Sequence, residues 1–455
     1  METSKAAAPA ADPVALNRTL GLLAITAFGV GDILGAGVYG LVGKIAGLVG
    51  NAAWLSYLAA GVTAALTGLT YAELSSRYPR AGGAAHFCDT AFRLPLLTFL
   101  VIIFVALSGL FSMATTSRVF ANYAMAHFQD APPYLRDYVL PIVFLLFIAF
   151  IAGRGIKTSS VANAVCTVIE VSALLVIIAV GLPFLGGVNY LEFAAVSNAA
   201  AVPPHVALVF SGATIAFFAF IGFEDMANLS EEVKDPERNV PRAICLAVLI
   251  TGVIYGLIAL VAVSVLPPAT LAATKTPLLD VVGRAAPKFP RAIYSVVPAF
   301  AVFNTALFNL VMASRLFYGM SRGPKGLLPA PLAWLHPRWR TPVVSVGLGT
   351  AVALTLVLVT KDLAKLAAGT TTYLLTVFFL LHVGLIKLKF FAAEAPPRFR
   401  IPIAVPFLGL VACAVLLWKQ EPAALIVAGW TALAAVVLFS INWFFFGRRS
   451  VEAVD

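Results

Sequence analysis

The sequence predicts an all-α membrane protein with 12 transmembrane helices. Hydrophobic residues make up 61% of the 455-residue chain and charged residues only 11%, whereas soluble domains carry about 25% charged residues. Apolar runs of the roughly 20 residues that a spanning helix needs recur along the chain. These runs are too long and continuous for barrel strands, and only helices or closed barrels satisfy backbone polar groups in lipid. A helical bundle follows.

Twelve segments qualify as spans. They run near 20–48, 52–75, 95–126, 137–153, 160–185, 204–229, 242–266, 292–320, 342–360, 364–388, 401–418 and 422–446. The longest polar stretches between them, 230–242 and 322–341, are too short to fold as soluble domains. We therefore expect a bundle without a separate soluble domain.

The charged loop residues predict the orientation. With the N-terminus inside, 20 of the 31 lysine and arginine residues fall on the inner side and ten on the outer side. Cytoplasmic loops carry the excess of positive charge, so we expect a multi-pass protein of the cell (inner) membrane with both termini cytoplasmic. The ten outer residues are Lys44, Arg118, Arg136, Lys275, Arg284, Lys288, Arg291, Lys361, Lys365 and Lys419.

Several classes of protein do not fit this sequence. The net charge of +10 forms no single basic patch, so we expect no nucleic-acid partner. The four cysteines are scattered without metal-ligand spacing, and no nucleotide-binding loop or nucleophile with a partner base is present. No short apolar core precedes a cleavage site at the N-terminus, so no signal peptide is expected. The sequence thus predicts neither an enzyme nor an ATP-driven pump, and no cofactor or metal.

The first span carries an unusual glycine cluster. Four glycines lie within the nine residues 29–37, and each weakens a helix by about 1 kcal/mol relative to alanine. Glycine also lets the backbone leave helical geometry and approach a ligand closely. The cluster therefore indicates either close helix packing through small residues or an unwound stretch near the bilayer centre.

The sixth span carries a second interruption. Gly222 lies among aromatic residues and is followed by two carboxylates, Glu224 and Asp225, at membrane depth. Spans 1 and 6 are five apart, which is the spacing of two inverted five-helix repeats. In such folds the paired broken helices form the substrate site, and their exposed N-termini favour a carboxylate.

Four stretches of the sequence carry a family resemblance. They are Gly35-Ala36-Gly37-Val38-Tyr39; Tyr71-Ala72-Glu73-Leu74 continuing to Gly82-Gly83; Phe217–Phe223 with Glu231–Arg242; and Ser314–Arg322 with Gly326–Pro329. The chain resembles the amino acid–polyamine–organocation (APC) superfamily of permeases, near the cationic amino acid transporter branch and its bacterial relatives. The resemblance implies five-plus-five inverted repeats with two added C-terminal helices.

That resemblance implies a domain layout and a substrate site. The expected segments are a cytoplasmic tail 1–19, a first repeat 20–185, a second repeat 204–388, added helices 401–446 and a tail 447–455. The expected substrate site uses the backbone of spans 1 and 6. Its predicted residues are Ile33, Gly35, Ala36, Gly37, Phe217, Phe220, Ile221 and Glu224.

Carboxylates at three places within the membrane are candidates for function, since an ionisable group there is costly: Asp32, Glu170, and Glu224 with Asp225. Asp32 could pair with a cation, cap the broken helix or face the cytoplasmic vestibule. Glu224 is either a cap of the helix that follows or a contact for a substrate amine. Glu170 in span 5 lands where relatives carry a lysine in place of a sodium ion. The charge is reversed here, so that lysine's role does not transfer.

Glu170 and Asp32 are the predicted proton-coupling residues. Glu170 is enclosed by Val168, Ile169 and Val171, and burial disfavours an ionised carboxylate. It could exchange a proton during transport, or it could simply hydrogen-bond neighbouring hydroxyls. We therefore expect an amino acid transporter with a proton as its coupling ion and the lipid bilayer as its surroundings. A polyamine or other organic-amine carrier is the alternative, and a channel or sensor is a third possibility. The oligomeric state stays open.

Overall fold

The computed structural model describes residues 18–80, 82–126, 128, 132–154, 160–194, 205–321, 328–391 and 396–446. The predicted tails, 1–19 and 447–455, lie outside the described residues except for Arg18 and Thr19. Within the described ranges the named elements are all helices, joined by turns and two isolated bridges.

Sixteen α-helices are present in these ranges. They are α1 Leu22–Ile33, α2 Ala36–Val49, α3 Ala53–Arg77, α4 Gly83–Phe92, α5 Pro95–Ala124, α6 Leu140–Arg154, α7 Ser160–Gly181, α8 His205–Phe220, α9 Pro236–Val265, α10 Pro268–Ala273, α11 Pro277–Ala285, α12 Arg291–Ser321, α13 Val343–Val359, α14 Leu363–Phe391, α15 Ala404–Trp418 and α16 Pro422–Phe446. A π-helix covers Leu135–Val139, and 3₁₀ helices cover Leu182–Phe184, Phe223–Glu232 and Ala330–Ala333.

Proline starts several of these helices. Pro95, Pro236, Pro268 and Pro277 each stand in the first turn of their helix. The first amides of a helix have no intrahelical acceptor, so the missing N–H of proline costs nothing there. Loop prolines thus fix where the apolar runs become helical.

The apolar helices confirm an all-α membrane protein. In the described part of the chain, nine helices are long and apolar enough to cross a membrane, and the bent pair α1–α2 raises that number to ten. The helices α13 and α15 are apolar but shorter. The large hydrophobic side chains that remain exposed, such as Leu146, Val253 and Leu438, form an apolar outer surface of the kind that faces lipid.

Helix packing places the two broken segments at the centre of the bundle. The helix α1 packs on α9 and α7, while α2 packs on α8 and α10. The helix α3 packs along α8 and α9, and α5 lies between α12 and α14. The segments around both breaks are therefore surrounded by helices on every side, where an irregular backbone is tolerated at membrane depth.

A short backbone pairing ties the start of α1 to the segment after α8. The amide of Leu20 donates to the carbonyl of Glu232 at 3.0 Å, and the amide of Lys234 donates to the carbonyl of Leu20 at 2.8 Å. These two bonds form an isolated parallel bridge between Leu20 and Val233. The ends of the two broken segments are thus tethered to each other.

A buried ion-pair network fastens the same end of the bundle. Glu73 is fully buried near the end of α3 and accepts hydrogen bonds from Arg77 at 2.9 Å and from Lys389 of α14 at 2.6 Å. It also accepts the amide of Ile401 at 2.9 Å, and Lys389 donates to the Ile401 carbonyl at 2.8 Å. One carboxylate therefore joins α3, α14 and the segment that leads into α15.

Candidate functional site

The first break separates α1 from α2. The two helices are bent by 44° at Leu34 and Gly35. The amide of Gly35 donates back to the carbonyl of Ile33 at 2.8 Å, which closes a tight turn rather than a helical one. The first amides of α2, beginning at Ala36, have no intrahelical acceptor. They are available to an anionic group in the centre of the bundle.

The second break ends α8. The α-helix stops at Phe220, and Gly222 takes a φ of 127°, in the region that favours glycine. The chain continues as a 3₁₀ helix, Phe223–Glu232. The amide of Gly222 donates to Oε2 of Glu224 at 2.9 Å. Glu224 therefore caps this break, which is one of the two roles that the sequence left open.

The two breaks are in direct contact. A Cβ built at Gly222 would lie 2.9 Å from the carbonyl carbon of Asp32 and 3.0 Å from the amide nitrogen of Ile33. A Cβ built at Gly37 would lie 2.4 Å from the Cα of Ala219. Such distances leave no room for a side chain, so both glycines permit close backbone packing. The glycine cluster therefore serves both alternatives, close packing and a break in the helix.

A cavity opens beside the two breaks. Its volume is about 50 Å³, several times the roughly 10–15 Å³ that one water molecule requires. The residues that line it are Asp32, Ile33, Gly35, Ala36, Gly37, Val105, Ser108, Gly109, Ser112, Phe218, Ile221, Gly222, Glu224, Asp225, Thr305, Asn309, Met312, Ala313, Leu316, Thr370 and Leu374. These residues come from both broken segments and from α5, α12 and α14.

Most of the predicted site residues meet at this cavity. Those on its lining are Asp32, Ile33, Gly35, Ala36, Gly37, Ile221 and Glu224. Phe217, Phe220 and Glu170 are not on it. The ring of Phe217 lies 6.2 Å from that of Phe378, and the ring of Phe220 lies 5.2 Å from that of Tyr255. Both rings are buried between helices, while Phe218 lines the cavity.

Several polar lining residues were not predicted from the sequence. Asn309 of α12 donates to the hydroxyl of Ser112 of α5 at 3.1 Å, which bridges two walls of the cavity. Thr305 of α12 donates to the carbonyl of Ala301, and a Cβ built at Gly35 would lie 2.9 Å from its hydroxyl oxygen. Serine, threonine and asparagine are frequent at helix–helix contacts in membranes, so nothing in the sequence distinguishes these residues from packing residues.

The lining concentrates negative charge. Asp32, Glu224 and Asp225 all contribute, and Asp32 interacts electrostatically with both of the others. Oδ2 of Asp32 is buried without a hydrogen-bond partner, whereas Asp225 accepts the side-chain amide of Asn228 at 3.1 Å. The cavity-lining residues include no lysine, arginine or histidine. Such a group of carboxylates favours a bound cation or a shared proton.

Glu170 occupies a separate buried position on α7. Its side chain is only 2% exposed, and Oε1 has no hydrogen-bond partner. It interacts electrostatically with Tyr39, Tyr255 and Tyr294, and with Asp32. The helix α7 packs on α1 and α12. Glu170 therefore lies behind the first break rather than in the cavity.

Tyr255 of α9 connects that region to the first break. Its hydroxyl donates to the carbonyl of Ile33 at 2.7 Å. This bond holds the last residue of α1 and satisfies a carbonyl that the break leaves without a helical amide. The sequence carried no signal for Tyr255, because a tyrosine within an apolar span is most often a packing residue.

Three buried tyrosines lie together beside α2. The hydroxyl of Tyr123 of α5 donates to the carbonyl of Tyr39 at 3.1 Å, and the two rings meet edge to face at 6.0 Å. Tyr294 of α12 is also buried and interacts electrostatically with Tyr39. These tyrosines come from α2, α5 and α12 and lie close to one another. In the described ranges, no three His, Cys, Asp or Glu residues are arranged to hold a metal ion.

The sequence was compared with known families. Residues 20–446 match the model of the family described as amino acid permease. The chain belongs to this family. The match covers both breaks and every helix that lines the cavity, and it confirms the resemblance to the APC superfamily. Membership of a permease family also confirms that the chain is a multi-pass membrane protein of a transporter family, not an enzyme.

Individual relatives of this chain are transporters that are named for different substrates. The chloroplastic cationic amino acid transporter 9 of Arabidopsis thaliana is 31% identical over 341 residues, 71% of this chain and 58% of the relative. The branched-chain amino acid permease BcaP of Bacillus subtilis (strain 168) is 27% identical over 418 residues, 88% of this chain and 87% of the relative. The methylthioribose transporter of the same organism is 28% identical over 455 residues, 95% and 94% of the two chains. The match to the plant relative thus spans little more than half of that protein.

Proposed function

We propose that this protein is a secondary active transporter that moves amino acids across the cell (inner) membrane by alternating access. The observation that carries the proposal is the pair of touching breaks beside a cavity with free helix ends and carboxylates. Paired broken helices of this kind hold substrates in secondary transporters. The family and the names of two relatives, which refer to amino acids, support the same substrate class.

The cavity suits both ends of an amino acid. Its carboxylate would meet the first amides of α2 around Ala36 and Gly37, where the helix N-terminus favours negative charge. Its amine would meet the carbonyls at the end of α8, within Phe217–Phe220, where Phe218 lines the cavity, because the final carbonyls of a helix lack intrahelical donors. Glu224 and Asp32 add negative charge beside the amine. The small cavity volume favours a compact substrate.

The proposed architecture has 12 spans in two inverted repeats. The repeats cover 20–185 and 204–388, and two added helices cover 401–446. In support, each repeat begins with a segment that is broken near its middle. The shorter helices α13 and α15 would be the ninth and eleventh spans, which raises the number from ten to 12. Both termini are cytoplasmic in this arrangement.

Proton coupling is the proposed energy source. Glu170 is buried behind the first break with an unpartnered oxygen, and Asp32 lies in the cavity with another. The two carboxylates interact electrostatically. A proton bound at one of them would lower the cost of negative charge at the other. Protonation of Glu170 and substrate binding beside Asp32 are thereby linked in this mechanism.

A polyamine or other organic amine is the second candidate substrate. The observation that favours it is the lining with three carboxylates and no basic residue among the described positions. A polyamine has no carboxylate, so it would leave the first amides of α2 without a partner. A channel or sensor is favoured by no feature of the described residues.

Counterflow in proteoliposomes tests the proposal. Vesicles loaded with unlabelled L-alanine, L-isoleucine, L-arginine or putrescine would be diluted into the labelled compound. We expect saturable exchange with at least one amino acid and weaker exchange with putrescine. Exchange with putrescine alone would select the organic-amine alternative, and unsaturable flux would contradict a carrier.

A further inference from the structure

Half of the outer basic residues gather at one place. Five of the ten cations assigned to the outer side by the sequence lie around the end of α5, although positive charge is normally depleted on that side. They are Lys44, Arg118, Arg136, Lys275 and Lys361, linked by their mutual electrostatic interactions and shared partners. A cluster that runs against the general distribution of charge indicates a function at that place.

Two of these residues, Arg136 and Lys275, line a second cavity, the outer pocket. Its volume is about 340 Å³, larger than that of the cavity between the breaks. Its lining residues are Asn122, Met125, Ala126, Phe128, Pro133, Arg136, Lys275 and Thr276. Two cations and two neutral polar side chains therefore face the space directly.

The nearby negative charge is already engaged. Asp137 accepts Arg136 at 3.0 Å and lies 3.6 Å from Lys361. Asp280 accepts the hydroxyl of Thr274 at 2.5 Å. Among the described residues the cluster keeps a surplus of positive charge.

Lys275 has the least compensated charge of the lining. It has three cationic neighbours, Arg136, Arg118 and Lys44, and Asp137 opposes them. Partial burial, followed by the like charge of Arg136, lowers the pKa of Lys275 from its ordinary value. Both effects disfavour the charged form, and an anion in the pocket would relieve the second.

A hydrogen bond links the rim of the outer pocket to the helix α2. Asn122 on its lining precedes Tyr123, whose hydroxyl bonds the carbonyl of Tyr39. Tyr39 is three residues after Ala36, so this hydrogen bond connects the residue next to the pocket lining with the helix that begins at the first break.

We propose that the outer pocket is a vestibule that binds the carboxylate of an amino acid arriving from outside. This inference rests on the proposed function and deepens it, because it selects substrates that carry a carboxylate. A polyamine would meet a surplus of like charge here, although the acidic inner cavity would accept it. The two cavities together select a molecule with one group of each sign.

Charged thiol reagents test the potential of the vestibule without requiring transport. Asn122→Cys would be prepared with Cys166 and Cys245, the two native cysteines that are not buried, replaced by serine. Leu185→Cys, 37% exposed on a segment without charged neighbours in sequence, is the control. The quantity measured is the rate of cysteine modification by an anionic methanethiosulfonate reagent that carries an ethylsulfonate group. It is divided by the rate with the cationic trimethylammonium analogue.

We expect this anionic-to-cationic ratio to be about tenfold higher at Asn122→Cys than at Leu185→Cys in low salt. Adding Lys275→Gln to Asn122→Cys should lower this ratio by about threefold. Raising the salt concentration should lower the ratio to a similar extent. Equal ratios at the two positions would overturn the proposal.

Transport kinetics test the selection itself. Lys275→Glu should raise the outer KM for L-glutamate or L-isoleucine and lower that for L-arginine, by about threefold to tenfold, with unchanged maximal rate. The control is Lys419→Glu, an exposed outer lysine away from the pocket, which should change neither. Unchanged KM values in Lys275→Glu would refute the vestibule. Absence of any amino acid transport by the parent protein would instead refute the proposed function, while the reagent ratio would still decide on the vestibule.

Discussion

Gly222 rests directly against the peptide group that joins Asp32 to Ile33. A Cβ at Gly222 would lie 2.9 Å from the carbonyl carbon of Asp32, and the φ of 127° at this glycine is strained for any other residue. The two breaks are consequently one structural unit. A change in the backbone of either segment must be accommodated by the other.

Gly222→Ala should therefore destabilise the protein by more than the about 1–3 kcal/mol that an unfavourable backbone conformation costs, because its methyl group also meets Asp32. The matched control is Gly256→Ala in α9, where a Cβ would meet nothing within 4 Å. That change should be neutral or stabilising by about 0.5–1 kcal/mol. The thermal transition of the purified protein provides the comparison. Equal transitions for the two variants would show that the breaks do not pack as described.

Tyr255→Phe removes the hydrogen bond to the carbonyl of Ile33. Because that carbonyl also accepts the amide of Gly35, we expect a modest loss of about 0.5–1.5 kcal/mol in stability. A looser break should weaken substrate binding by about threefold to tenfold. Tyr57→Phe is the control, since the Tyr57 hydroxyl is buried without a partner and its ring lies 6.1 Å from that of Tyr255. Binding assays should separate the two variants, and equal losses would count against a role for the Ile33 bond.

Glu170→Gln mimics the protonated carboxyl without changing its shape. It should keep substrate binding and counterflow but lose accumulation driven by an inward proton gradient. The parent protein should accumulate substrate independently of sodium. Uptake at matched and mismatched pH measures this. Gradient-driven accumulation by Glu170→Gln equal to that of the parent would remove Glu170 from the coupling mechanism.

Asp32→Asn is the companion to that test. Asp32 lines the cavity whereas Glu170 does not, so Asp32→Asn should weaken binding as well as coupling. Preserved binding with lost coupling in Asp32→Asn would instead assign both carboxylates the same role.

Glu73→Gln should destabilise the protein by about 3–5 kcal/mol, because it leaves the buried Lys389 with an uncompensated charge. The Lys389 side chain is only 6% exposed. Glu237→Gln breaks an exposed pair with Arg398, whose side chains are 43% and 69% exposed. Its cost should be about 0–1 kcal/mol. Chemical denaturation can rank the two, and a smaller effect for Glu73→Gln would contradict the packing seen here.

Labelling from the two sides of the membrane tests the topology. Trp334→Cys and Leu191→Cys replace residues that are 49% and 62% exposed in loops on opposite sides of the proposed arrangement. An impermeant reagent applied outside should modify Leu191→Cys and spare Trp334→Cys. The reverse labelling pattern would mean that the orientation is opposite to the one proposed. Modification of both cysteines from outside would show that the number of spans between them is wrong.

The positions of both breaks could be predicted from the sequence. Gly35 and Gly222 can leave helical geometry at little cost in free energy. Asp32 and Glu224 place carboxylates at membrane depth, where a charge is costly in free energy, and they therefore indicate functional positions. The spans could be predicted for a similar reason, since lipid requires long apolar helices.

The side chains that complete the site could not be predicted in the same way. Phe217 and Phe220 are three residues apart and share a face of α8 that points to other rings, whereas Phe218 faces the cavity. The contact between Asn309 and Ser112 depends on the rotation of α12 and α5, which apolar patterning leaves undefined in helices that are hydrophobic all round. The role of Tyr255 depends on the carbonyl of Ile33, which lies far away in sequence and has no helical amide because α1 ends there.

The 3₁₀ geometry of Phe223–Glu232 gives span 6 an adjustable length. A 3₁₀ helix rises about 2.0 Å per residue and an α-helix about 1.5 Å, so converting these ten residues would shorten the segment by about 5 Å. The bonds between Leu20 and Val233 connect its far end to the start of α1. Because of these bonds, a contraction would also move the start of span 1. A local change of helix type would therefore move both broken segments together.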